Sequence, residues 1–226
     1  LVIATVRGSQ VSLTRFKNVE IGYRLSGSAQ VTLASTVQAQ EVFLGPRNQW
    51  IYLLSKSGEI DVLGIKSLQR VSRLYQGSLA PKGSTITAVT PVLGRYSLLT
   101  ANEQGDIVQW GALVNANETR FVALRSFDVE QSVAQLITEP RRKGFLSVAN
   151  DGELSLLYPT SGRLLDQRPS NLPASAPMAI SPRSNLLIAA PHDGLITAHS
   201  LDNKHPEISW SALWTEVWYM SLLHIS

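Results

Sequence analysis

Few residues of this 226-residue chain have the types and spacing that chemistry needs. The histidines are His192, His199, His205 and His224. His192 and His199 flank a candidate hairpin turn and could reach one metal ion from neighbouring strands. A metal site needs a third ligand with matched geometry, and Asp193 is taken up by the turn itself. The acids Asp106, Asp151 and Glu153 also sit beside candidate turns. Acid pairs for glycoside chemistry must converge within several ångströms, which acids in separate hairpins do only near a shared axis. Arg141, Arg142 and Lys143, in "TEPRRKGF", form the densest positive cluster. They are a candidate dock for an anion such as phosphate or for an acidic partner, set against the plain reading of a solvated turn.

Nucleophile and phosphate motifs are missing. There is no Gly-x-Ser-x-Gly elbow, P-loop, His-Glu-x-x-His or Gly-x-Gly-x-x-Gly. With no cysteine, disulfides, thiolate catalysis and cysteine-ligated zinc are excluded. The expectation is therefore a non-enzyme without metal or cofactor. Asn117-Glu118-Thr119 matches a glycosylation triplet, a pattern common by chance.

Hydrophobic residues make up 44% and charged residues 16% of the chain, which predicts a packed globule. The net charge of +3 is scattered rather than gathered into a stripe, so nucleic acid is not the expected partner. No run reaches the roughly 18 apolar residues of a membrane span, and no signal peptide is recognisable. The chain opens on Leu1 in the strand-like run "LVIATV", which reads as part of something longer.

The elements that would position these residues repeat. "NQWIYLLSKSGEIDVLGI", "RYSLLTANEQGDIVQWGAL", "KGFLSVANDGELSLLYP" and "SNLLIAAPHDGLITAHSL" align on Gly58, Gly105, Gly152 and Gly194, at spacings of 47, 47 and 42 residues. Each has an apolar run, a polar turn with glycine and a second run, the pattern of a β-hairpin. Asp151-Gly152 and Asp193-Gly194 are strong turn signals, because glycine reaches positive φ without steric cost. Five residues past each glycine stands Leu63, Trp110, Leu157 or His199.

Shorter apolar pieces precede each hairpin ("EVFLGPR", "AVTPVLG", "AQLITEP" and "PMAISPR"). Stretches such as "RVSRLYQGSL" and "TRFVALRSFD" supply a fourth strand. Four strands per 42 to 47 residues is the period of a β-propeller blade. A weaker copy around Gly8 brings the count to about five blades, or a partial ring. A sandwich with look-alike hairpins is the rival architecture.

The units resemble WD40-like repeats in period and in the Asp-Gly-x-Ile/Leu hairpin. They lack the Gly-His dipeptide, and Trp110 is followed by Gly111 rather than Asp. Together with the tail "ISWSALWTEVWY", the repeats resemble the extracytoplasmic WD40-like insert of long PstC-type permeases of bacterial phosphate ABC transporters. In that family a Trp-rich segment leads into the permease core.

The resemblance implies a propeller-like domain over residues 1–206 and a Trp-rich segment over 207–226. It implies a place at the periplasmic face of the inner membrane, attached through the parent permease. The implied partners are other transporter subunits or the periplasmic phosphate-binding protein. On its own terms the four-residue spacing of Trp210, Trp214 and Trp218 predicts a short helix capped by Ser209, with its stripe facing a membrane or lying as a lid on the last blade.

Two functions stand side by side: a non-catalytic interaction platform, and a ligand-binding or enzymatic propeller with a site in the axial channel. For the ring, two outcomes are expected. Either "LVIATV" pairs beside residues 186–201 and closes it, or the blades form an arc that tends to self-associate.

Overall fold

The computed structural model describes residues 1–33, 39–45, 49–55, 59–74, 85–92, 97–114, 119–139, 144–181, 185–192, 195–201 and 210–213. They form five antiparallel sheets, each built from consecutive strands. The first contains β1 (Val2–Arg7), β2 (Gln10–Asn18) and β3 (Tyr23–Thr32). The second contains β4 (Ala39–Leu44), β5 (Trp50–Ser55), β6 (Ile60–Gly64) and β7 (Arg70–Leu74). The third contains β8 (Ile86–Val92), β9 (Ser97–Asn102), β10 (Asp106–Val114) and β11 (Thr119–Asp128). The fourth runs β12 (Val133–Thr138), β13 (Phe145–Ala149), β14 (Leu154–Leu157) and β15 (Leu164–Arg168). The fifth runs β16 (Met178–Ile180), β17 (Leu186–His192), β18 (Leu195–Ser200) and β19 (Trp210–Leu213). First strands of the second to fifth sheets lie against one another in turn, as the innermost strands of propeller blades do. The architecture is a five-bladed β-propeller arrangement.

Why second strands read as unbroken apolar runs becomes clear from their packing. Successive residues of a strand face opposite sides, and here both sides meet a neighbouring blade. In β5, Ile51 and Leu53 pack with Val11 and Leu13 of the first blade. Tyr52 and Leu54 point the other way, to Val89, Leu98 and Trp110 of the third. Leu99, Ala101 and Ile107 then meet Val133, Phe145 and Leu157 of the fourth. Leu146 and Val148 meet Met178, Leu187 and Ala189 of the fifth.

Phe121 stands edge-on to Trp50 and Tyr52, at centroid distances of 6.0 and 5.8 Å. Burial pushes the Tyr52 phenol well above its ordinary range, so it stays neutral. Side chains also lace the seams. Arg15 donates to the Ile65 carbonyl at 2.7 Å, Arg125 to that of Pro159 at 2.7 Å, and Gln135 to those of Ala174 and Ala176 at 2.6 and 2.7 Å.

Two expectations need correction. The tail does not begin as a helix: Trp210–Leu213 is strand β19, paired antiparallel with β18, and the fifth blade therefore runs past residue 206 to Leu213. A spacing of four residues keeps side chains on one face of a strand as well as on a helix, and the unpaired edge of β18 decides between them. Trp214 and Trp218 lie outside the described residues, as does Ser209. Secondly, "LVIATV" does not complete the last blade. β1 pairs with β2, and β19 supplies the fourth strand of the fifth sheet. Among the described residues the apolar clusters join neighbouring blades in sequence, and none joins the fifth to the first. No helix among them is long and apolar enough to cross a membrane.

The turn glycines carry a second constraint beside positive φ. Gly152 has φ +88°, and a Cβ there would lie 2.9 Å from the carbonyl oxygens of Ser170 and Leu172. The chain leading to the next blade crosses at that point, with the Ser170 hydroxyl donating to the Gly152 carbonyl at 2.6 Å. Gly105, at φ +96°, approaches Gln131 in the same way, to 2.8 Å. Gly58 and Gly194 lie outside the described residues. Gly152→Ala should thus cost about 2 kcal/mol or more, and Gly152→Val still more, from backbone strain plus the clash. Gly8, at φ +61° with nothing within 4 Å of a Cβ, supplies the control. Gly8→Ala should cost about 1 kcal/mol. Equal losses for Gly152→Ala and Gly8→Ala in denaturant unfolding would show that the close crossing is absent.

Candidate functional site

Most side chains singled out by the sequence serve the scaffold. The Asp106 carboxylate accepts from the Asn102 amide at 2.8 Å, inside a turn where Asn102 also accepts from the backbone N–H groups of Gln104 and Asp106. Asp151 accepts from the Glu153 N–H at 3.0 Å, and Glu153 accepts from the Gln167 amide at 2.7 Å. These acids stay in their own turns. Among the described residues no group of His, Asp and Glu could hold a metal ion.

His192 and His199 do not converge. His192 pairs with Leu195 and His199 with Leu187, which sets them four residues apart along the ladder, about 13 Å at a strand's rise per residue. His199 instead meets the Thr197 hydroxyl at 2.9 Å. Burial, and then the charge of Arg168, hold its pKa below the usual histidine value. Arg168 belongs to the fourth blade and donates to the Ser200 carbonyl of the fifth, so His199 lies in a blade seam. Leu63, Trp110 and Leu157, its counterparts after the turn glycines, are buried in the seams with their preceding blades. Trp110 donates its indole N–H to the Thr100 hydroxyl at 3.0 Å. Arg141, Arg142 and Lys143 lie outside the described residues, as do His205, His224, Asn117 and Glu118.

One charged site on the described surface was not legible as a motif. A cleft of about 380 Å³ opens between β3 and β6–β7, lined by Gln30, Asp61, Ser67, Gln69, Arg70 and Arg73 among others. Asp61 is 5% exposed and takes both oxygens into a fork with Arg73, at 2.6 and 2.8 Å. Glu59 lies 3.8 Å from the same guanidinium, and Arg70 lies 3.8 Å from Asp61 with 55% of its side chain exposed. The pairing register makes this site, because it sets Asp61 opposite Arg73 and Leu63 opposite Arg70. Asp61 points to the first blade, on the face of β6 that carries Leu63. The arrangement can offer one guanidinium to an acidic side chain while the other is held by a buried carboxylate. A second cleft of about 280 Å³ occupies the equivalent place between β11 and β14–β15.

No protein-family model matches the chain, and no curated protein matches it. Among solved structures, a chain of a "Crystal Structure of Mitotic Checkpoint Complex" is similar, with a TM-score of 0.60 and 14% identity. The match covers 88% of this chain and 57% of that one. At that identity the likeness shows the fold alone. In all, 1378 solved chains match, and a fold does not by itself specify an activity.

Two measurements test the site as described. Asp61→Asn should lower stability by about 2 kcal/mol, because it weakens a forked charge-assisted pair at a nearly buried position. A loss indistinguishable from zero in urea unfolding would mean the fork does not form. For His199, the folded protein resists a proton that the unfolded chain accepts. Stability should therefore rise with pH, and be lost as pH falls below the ordinary histidine value of 6.5. His199→Gln should flatten the fall of melting temperature on that acid side. Parallel curves for the two proteins would contradict the seam position of His199.

Proposed function

We propose that this chain is a non-catalytic interaction platform, the extracytoplasmic propeller of a permease subunit in a bacterial phosphate ABC transporter. The observation that carries the platform reading is that Asp106, Asp151, Glu153 and His199 are each engaged in a turn or a seam, while Arg70 stands exposed at the cleft between the first and second blades. Catalysis needs acids, bases or nucleophiles that converge on one point, and these residues are dispersed. The transporter setting is supported by the resemblance of the repeats and the "ISWSALWTEVWY" tail to the insert of long PstC-type permeases. In that setting the domain sits at the periplasmic face of the inner membrane. Its partners are other subunits of the transporter or the periplasmic phosphate-binding protein, and the parent permease supplies its attachment to the membrane.

The test is affinity purification of the parent polypeptide from native bacterial membranes, with and without this domain. Phosphate-transport subunits or the phosphate-binding protein should co-purify with the intact polypeptide and be depleted when the domain is removed. Recovery of none of them, or equal recovery without the domain, would overturn the reading.

A further inference from the structure

The repeat supplies an internal control for the charged cleft between β3 and β6–β7. Leu63, Trp110 and Leu157 hold one position in three blades, where the pairing of third with fourth strand slips by one residue. Two residues earlier stand Asp61, Val108 and Ser155, paired with Arg73, Ser126 and Gln167. Beyond the slip Leu63 pairs with Arg70, Trp110 with Ala123 and Leu157 with Leu164. The third and fourth blades thus form the same ladder with no charge at these places. The equivalent cleft between β11 and β14–β15 has Ser155, Leu164 and Gln167 in place of Asp61, Arg70 and Arg73, and no cation among the described residues that line it. Blade architecture does not require the three charges of the second blade.

Arg70 and Arg73 are three residues apart and would face opposite sides of a regular strand. The slip, with Val71 as the extra residue, turns both toward the first blade. Their states differ. Arg73 spends Nε and Nη2 on the buried Asp61 carboxylate and holds Nη1 3.8 Å from Glu59. Arg70 has one charge contact among the described residues, 3.8 Å to Asp61, and 55% of its side chain is exposed. The turn before it is held from both blades. The Leu68 N–H donates to the Gly64 carbonyl at 2.7 Å, the Gly64 N–H to that of Gln69 at 2.9 Å, and Arg15 of the first blade to that of Ile65. Leu68 is kept at φ +56°, a region few non-glycine residues take, with its side chain buried in the seam. Gln69 and Arg70 therefore reach the cleft from a fixed backbone.

The lining of the cleft indicates what it takes. Ala29, Val31, Leu63 and Leu68 form an aliphatic wall, and Arg70, Gln30 and Gln69 bring donors. Gln30 accepts from the Gln10 amide at 3.2 Å, which leaves its own N–H groups to donate. A guanidinium beside an aliphatic wall matches a carboxylate on a short aliphatic stem. A bare tetrahedral anion would leave the wall unused. We propose that this cleft docks a glutamate side chain of a partner protein, with its carboxylate on Arg70 and its stem against Val31 and Leu68. This rests on the interaction-platform reading and names its point of contact.

The probe is a blocked pentapeptide, Ala-Leu-Glu-Leu-Ala, added to the purified chain and followed by NMR of the Arg70 guanidinium and the Gln30 and Gln69 amides. All three groups should shift saturably. Affinity should fall about tenfold or more when glutamine replaces the peptide's glutamate, and likewise with Arg70→Gln, since each removes one charge-assisted pair. Should that variant fold poorly, the glutamine peptide on the unaltered chain makes the same test. The inference is overturned if the glutamate peptide shifts none of these groups, if the glutamine peptide binds as tightly, or if folded Arg70→Gln binds unchanged. Binding of inorganic phosphate or free glutarate as tight as that of the peptide would also overturn it, because the cleft would then be a site for small anions. Peptide binding is read on the purified chain and co-purification on the transporter, so failure of this inference and failure of the platform reading are separable.

Discussion

A single blade cannot bury its own two faces, and the rest of this structure follows from that constraint. A four-stranded sheet presents alternate side chains to opposite sides, so a second strand such as "WIYLLS" is apolar throughout only if both sides are covered. Each neighbouring blade covers one side. Fully burying a leucine or phenylalanine contributes about 1.5–3 kcal/mol, and each seam collects several such residues. Stability is therefore distributed along the row of blades, with each seam dependent on the two sheets that form it. Polar side chains then fix the angle at the seams: Arg15, Arg125, Gln135 and Arg168 each reach a carbonyl of the following blade.

Within this frame the turn glycines and the residues after them have linked tasks. Gly105 and Gly152 turn the hairpin and leave room for the chain that crosses to the next blade. Leu63, Trp110 and Leu157 fill the seam with the preceding blade at the position where the ladder slips. The same position in the first blade is Phe16, and no apolar cluster of described residues covers its side of the sheet. Leu1, Ile3, Tyr23 and Leu25 are exposed in that blade.

The repeating hairpins were legible because a tight turn restricts residue type and a doubly covered strand restricts polarity, and both leave a period in the sequence. The carboxylates beside the turns were legible as turn residues for the same reason. Asp61, Arg70 and Arg73 left no such trace, since an acid and an arginine twelve positions apart become partners only through pairing register and a one-residue slip. The tail was misread at Trp210 because its spacing fits helix and strand alike, and the deciding partner, β18, is a tertiary contact. Close approach at Gly152 was hidden too: φ is a local demand, whereas the carbonyls of Ser170 and Leu172 arrive from elsewhere in the chain.

Serial packing of the blades is tested most directly by native-state hydrogen exchange on the chain alone. Amides of β9 and β13, enclosed between blades on both sides, should exchange slowest, through opening of the whole domain. Amides of β1, whose sheet meets a neighbouring blade on one side only among the described residues, should exchange orders of magnitude faster. Uniform protection along β1, equal to that of Leu98 and Leu99, would contradict the account.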